Sequence, residues 1–429
     1  MRISTSMIYD QGVNSINQQY GDLVKLQQQL STGRRVLTPA DDPIASARAL
    51  QVAQSQSVNA QYMLNGQHAQ SSLELEESVL TQVTGLLQDA RVLAVNAGNP
   101  SLSDSDRTSL AVDLQGRYAQ LLGLANTTDG NGLYLFSGYK GTTQPFSETG
   151  SGGVSYNGDQ GQRRVQVSAS RQIAVSSSGA EVFQLIKSGN GTFATAAAGI
   201  NTGTGIVSQG VVLDAALWNA AGNNQDFTIR FDVTGGATTY DIVDNVTGNS
   251  LLTDAAAAAD GPYPRSYTSG ATIDLKNQGA EPAFDYGVSL SIRGDPADGD
   301  SFGVKPSSTQ QDIFSTLNAL ITALNTPVSG SSAGNTRLTN DLNTALSNLD
   351  LALDNVLSVR ATVGATLKEI DAHRATGEDL DLQYSGTLSD LQDLDYAKAI
   401  SDMTLKQSSL EAAQQSFLRV QGLSLFNYL

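Results

Sequence analysis

No cysteine occurs anywhere in the 429 residues, which removes disulfides, thiolate metal sites and a cysteine nucleophile together. Aromatic residues are scarce, 6% of the chain with a single tryptophan, and hydrophobic residues of all kinds reach only 40%. Much of the length must therefore be thinly packed. Histidine occurs twice, at His68 and His373, far apart and without metal-ligand spacing, so both read as polar residues on helix faces. Neither an HExxH, a GxSxG nor a Walker loop is present. Positive charge is short as well: 25 Lys and Arg against 42 Asp and Glu leave a net charge of -17, which argues against phosphate backbones and anionic lipid as partners. No window approaches the roughly 18 apolar residues of a membrane span, and the N-terminus lacks the continuous apolar core of a cleaved secretory signal. These absences predict no enzyme activity, no cofactor, no metal, no nucleic-acid partner and no membrane insertion.

Proline is missing from long stretches: none lies in 1–38, 44–99 or 328–429, while most of the 41 glycines fall between 131 and 305. The ends are read as helical and the middle is not. In the first arm Tyr9, Val13, Ile16, Tyr20, Leu23 and Leu30 follow 4-3 spacing and make one apolar stripe, which stops at Gly33. The turn "TPADDP" follows: Pro39 and Pro43 fix the backbone, Asp41 or Asp42 can cap the next helix, and Pro43 suits its first position. A long helix is predicted from Ile44 to the "NAGNP" break, and another from Ser103 or Asp104 to about Asn126. "NGLYLFSGYKGTTQPF" reads as a strand and turn.

Between about 140 and 310 the strand candidates are "RRVQVSA", "DFTIRFDV", "TTYDIVD", "ATIDL" and "GVSLSIRG", separated by loops rich in Gly, Ser, Thr and Asn. Few aromatics predict a modest core there. Asp295, Asp298 and Asp300 lack the ligand series of a calcium loop and read as a turn between strands. The Arg293-Gly294-Asp295 triplet is too short to carry a function, and Trp218 reads as a packing residue. The N-x-Thr triplets at Asn126, Asn190 and Asn245 matter only on a glycosylating route. Helices are predicted again from near Gln311 to Asn325, from about Asn335 to Thr376, and from about Leu388 onward.

The predicted fold class is α+β, with long α-helical, coiled-coil-like arms from both termini enclosing a central β-rich insertion domain. Residues 1–40 form an N-terminal helical assembly tail, 41–139 and 311–387 the two halves of a long-helix rod, 140–310 an outward-facing insertion, and 388–429 a C-terminal assembly tail. In that last tail Met403, Leu410, Ala413, Phe417 and Val420 continue a 4-3 stripe, and Leu425, Phe426 and Leu429 extend the apolar surface to the last residue. Apolar stripes of this size, paired as two helices alone, return less than the ordering of both tails costs. The tails therefore read as elements that other molecules cover. Residues 1–50 carry five basic and four acidic side chains, whereas 378–402 carry seven acidic and one basic, so opposite ends can pair, weakly.

The stretch "LSDLQDLDYAKAISDMTLKQSSLEAAQQSFLRVQGLSLFNYL" resembles the terminal helix of the flagellin superfamily of bacterial axial proteins. Within it, "MRISTSMIYD", "LSTGRRVLTPADDPIASARAL" and "GLYLFSGYKGTTQPF" resemble the flagellar hook-associated protein 3 family, and "GDPADGDSFGVKP" resembles a segment recurring in hook-associated proteins. The resemblance covers about 150 residues at the N-terminus and about 130 at the C-terminus. It implies a structural adaptor at the hook–filament junction of the bacterial flagellum, exported without a cleaved signal and extracellular. Its implied partners are copies of itself in a ring, the other hook–filament junction protein, flagellin, and an export chaperone on the C-terminal helix. A flagellin-type filament subunit is the nearest alternative, and Pro43 after the paired aspartates weighs against it. A surface-displayed enzyme or glycan-binding module within 140–310 is the alternative from another class.

Overall fold

Local chemistry sets where the helices of this chain begin and end, and the computed structural model describes residues 5–150, 153–309 and 311–422. The helices are α1 (Thr5–Thr32), α2 (Pro43–Ala97), α3 (Asp104–Ala125), the short α4 (Gly179–Phe183) and α5 (Ala215–Trp218), α6 (Ile313–Asn325), α7 (Ser332–Gln392) and α8 (Tyr396–Gly422). α1 stops at Gly33, which is left-handed at φ +70° and would push a Cβ to 2.8 Å from the Tyr396 hydroxyl. α3 opens on a capping box, in which the Asp106 N–H donates to Ser103 Oγ and the Ser103 N–H donates to Asp106 Oδ2.

Two expectations change. The break expected between Thr376 and Leu388 does not exist: α7 runs through Gly377 and Gly386 to Gln392, and the interruption falls at 393–395. Glycine inside a helix costs about 1 kcal/mol, which packing overrides here. Gly377 lets α2 come close, with a Cβ there standing 2.9 Å from Met63 Cγ, and its carbonyl accepts from Asn59 Nδ2 at 2.7 Å. Asp395 then restarts the chain as α8 by accepting the Lys398 N–H. The segment expected as a strand after Asn131 is instead a folded loop with one isolated bridge, Thr128 to Tyr134. Its neighbours Leu135 and Phe136 are both buried, so the two-residue alternation of a strand is absent.

Two compact units divide the chain, one of Met1–Gly66, Gln166–Arg171 and Asp371–Leu429, the other of Gln67–Val165 and Gln172–Ile370. In the first, α1 pairs antiparallel with α8, and the early part of α2 pairs with the late part of α7, where Gln56 Nε2 donates to Asp381.

The second unit holds a helical part and the β domain. Its helices bury the α2 stripe Leu73, Leu80, Val83, Leu87, Ala90 and Ala94, with Arg360 of α7 forked onto Glu77 at 2.6 and 2.9 Å. Strands β1 (Phe146–Glu148) and β2 (Val154–Tyr156) make one small hairpin, and β3 (Arg164–Ser168) and β4 (Arg171–Ala174) another, of which Gln166–Arg171 are counted with the first unit. The domain proper uses β5 (Phe193–Ala197), β6 (Ile206–Val207), β7 (Val211–Val212), β8 (Phe227–Thr234), β9 (Ala237–Asp244), β10 (Arg265–Ser266), β11 (Thr272–Lys276), β12 (Asp285–Arg293) and β13 (Ser301–Pro306). One sheet has the order β10-β9-β8-β13-β5, the other β11-β12-β6 with β7 also on β12. The sheets share a core of Phe193, Trp218, Phe227, Phe231, Phe302 and aliphatics. Aromatics are few in the chain but concentrated here, so the core is fuller than the composition suggests.

A row of polar side chains on α7 fastens this domain to the helices. Asn340 accepts the Val207 N–H at 3.0 Å and donates to the Gly205 carbonyl at 3.0 Å. Ser347 donates to the Gly189 carbonyl, Asn348 accepts the Gly189 N–H, and Asn355 donates to the carbonyls of Glu181 and Val182. Every partner is main chain.

Candidate assembly surface

The 4-3 stripes of the two tails meet in the α1–α8 pair. Leu23 and Leu410 are buried, and Val13, Ile16, Leu30, Met403, Ala413 and Phe417 are partly buried. Tyr9 packs at a tilt against Phe417 with ring centroids 5.1 Å apart, a contact opened by Gly12, where a Cβ would lie 2.9 Å from the Phe417 ring. Lys406 interrupts the stripe and bonds Asp22 at 2.8 Å. That pair is exposed and contributes little. The side chain of Val420 and residues Leu425, Phe426 and Leu429 lie outside the described residues.

Tyr20 is on the stripe yet 60% exposed, and Tyr9 is 47% exposed. Further apolar side chains of the pair face water: Met7 and Val24 on α1, and Ile400, Leu405 and Leu418 on α8. Pairing the two helices thus leaves apolar side chains exposed on both of them. Sequence reasoning missed these five because they lie off the stripe. Their signal was a heptad with more apolar positions than one seam needs.

The "TPADDP" turn ties three helices. Asp41 Oδ2 accepts the N–H groups of Leu37 and Thr38, and its Oδ1 meets Lys25 of α1 at 2.6 Å. Those hydrogen bonds and the Lys25 charge, the Lys25 bond first, hold the Asp41 carboxyl down at about 2. Asp42 caps α2 through the Ala45 N–H at 2.9 Å, Pro43 takes the first helical position, and Arg35 bridges Asp42 to the Leu391 carbonyl at the end of α7. Pro39 is exposed within the turn. In the β domain, Asp300 closes the turn between β12 and β13 by accepting from Thr202, Gly203 and Ala297, while Trp218 is buried against Phe193. Among the described residues no three His, Cys, Asp or Glu gather as metal ligands, and no helix is long and apolar enough to cross a membrane.

Helical tails paired across the whole chain, with a β insertion between long helices, define a flagellin-like axial protein. Residues 3–141 match the bacterial flagellin N-terminal helical region, and residues 192–306 match the D3 domain of flagellar hook-associated protein 1. The likeness to B-type flagellin of Pseudomonas aeruginosa, 32% identity, is confined to 133 residues, 30% of this chain. Flagellar hook-associated protein 3 of Escherichia coli K12 is 32% identical over 426 residues, and that of Salmonella typhimurium LT2 30%, each covering 99% of both chains. Among solved structures, flagellar hook-associated protein 3 of Legionella pneumophila is 34% identical with a TM-score of 0.71, covering 80% of this chain and 98% of its own. FlgL of Xanthomonas campestris is 28% identical with a TM-score of 0.66, covering 79% and 99%. The chain belongs to the flagellar hook-associated protein 3 family.

Proposed function

We propose that this chain is a structural subunit of the bacterial flagellum, joining the hook side to the flagellin filament. The observation that carries the reading is the end-to-end likeness to hook-associated protein 3, over 99% of both chains; likeness to B-type flagellin covers 30% of this chain. The role is mechanical and uses no catalysis. The surface left by the α1–α8 pair is the assembly element: copies of the same chain cover it in a ring, with the other junction protein on one side and flagellin on the other. Residues 1–40 and 388–429 act as the tails, 41–139 and 311–387 as the rod, and 140–310 as the outward module. Before assembly an export chaperone covers the C-terminal helix, and the subunit reaches the outside without a cleaved signal.

Deletion of the gene tests this directly. Cells lacking the chain should keep hooks and release flagellin into the medium, and antibody against the chain should mark a single band between hook and filament on isolated flagella. Labelling along the whole filament would make the chain a flagellin. Attached filaments in the deletion strain would refute the junction role.

A further inference from the structure

Glu76 stands in the middle of the buried face of α2, between Leu73 and Leu80, and is only 1% exposed. One of its carboxyl oxygens, Oε1, has no hydrogen-bond partner. A carboxylate so placed is costly, because a buried charge needs either a counter-ion or full hydrogen bonding. The charged neighbours on the adjoining elements do not supply it. Glu77 on the same helix and Glu181 on α4 add negative charge. On α7, Arg360 is committed to Glu77 through two bonds, with a third to Thr84. Only Ser177, through its hydroxyl and N–H, favours the ionised form.

We propose that Glu76 makes folding of this unit proton-linked: its carboxyl takes up a proton from solvent as α2 packs, and a rise from mildly acid to neutral pH loosens the unit by forcing a charge into that packing. Burial first, then the two neighbouring carboxylates, pushes the group up from 4.5 to about 7. The folded state therefore binds more protons than the unfolded state between those values. The stabilisation is complete below the lower value and is lost as pH rises through the upper one. Above about 7 no further loss arises from this group. The folding equilibrium should fall by up to about tenfold per pH unit across the interval.

The test is urea unfolding of the full chain between pH 5 and 8.5, for wild type and Glu76→Gln, followed by Trp218 fluorescence and helical circular dichroism. All other titrating groups are common to both proteins. The ratio of their folding constants should rise in favour of Glu76→Gln up to pH 7 and then level off. A ratio independent of pH overturns the proposal. Infrared spectra of the native wild type give a second reading that needs no variant: at pH 6 a protonated carboxyl band should persist and vanish by pH 8.5. Its absence at pH 6 also overturns the proposal.

Discussion

Replacing Tyr20 by aspartate separates what holds the subunit together from what holds subunits to one another. Tyr20 lies on α1, 60% exposed, three residues before Leu23, which is 9% exposed and faces α8. In the free subunit Tyr20→Asp puts a charge where water already reaches, so the change in stability should stay within about 0.5 kcal/mol, as for other surface substitutions. In an assembly that covers Tyr20, the exposed part of the side chain is about 120 Å² of the roughly 200 Å² an aromatic side chain presents. At about 25 cal/mol/Å² its burial contributes about 3 kcal/mol per subunit. The aspartate loses that contribution and adds an unpaired charge to a dry interface. Leu23→Asp is the contrast, since its side chain already packs in the subunit and its loss should cost about 2 to 5 kcal/mol there. Thermal unfolding of purified chains measures the first effect. Secretion and attached filaments in a complemented deletion strain measure the second, with secretion separating assembly from chaperone defects. A Tyr20→Asp subunit that is secreted and supports filaments like wild type would refute the assembly role of this surface; one that unfolds would refute the division between the two faces.

Asn340→Leu leaves the Val207 N–H and the Gly205 carbonyl unpaired in a buried site, at about 1 to 3 kcal/mol each. Urea unfolding should shift accordingly, with faster hydrogen exchange at the Val207 amide. An unshifted transition would mean that water replaces the side chain. Gly377→Val forces a branched side chain towards Met63 and should destabilise α2–α7 pairing by about 1 to 3 kcal/mol, read as a lower helical melting temperature. The Asp41 turn should hold at neutral pH and weaken only as pH falls below 3.8 through about 2; Asp41→Asn should remove that acid dependence, as followed through amide signals of Leu37 and Thr38. Replacing 190–306 by a short linker removes the β domain whole, its ends lying together at the Ser188–Ser308 hydrogen bond, and should lower stability yet preserve junction assembly, visible as attached filaments.

Helix ends were legible where a single residue fixes the backbone: Gly33 as a left-handed stop, Pro43 as a first position, Ser103 as a cap. Gly377 misled because its local cost is small beside the contact it permits with Met63 and Asn59. The sheet order could not be read, since β13 lies between β8 and β5 and nothing local to Ser301–Pro306 says so. The tail stripes were legible from period alone. The apolar residues left exposed beside them were not, because Leu405 and Leu418 stand out only after the first seam is closed. Asn340, Asn348 and Asn355 were silent for another reason: on a helix, asparagine facing water and asparagine holding a distant main chain look alike.

That last trio has a consequence for how such a chain can change over time. A clamp that grips only N–H and carbonyl groups at 181–182, 189 and 205–207 is blind to the side chains it carries. It works as a socket rather than a lock and key. Side chains outside the domain's own core are free to be rewritten, and surface loops exchanged, so long as the backbone passes α7 at three points. The β domain can then diversify while the helices that hold it stay the same.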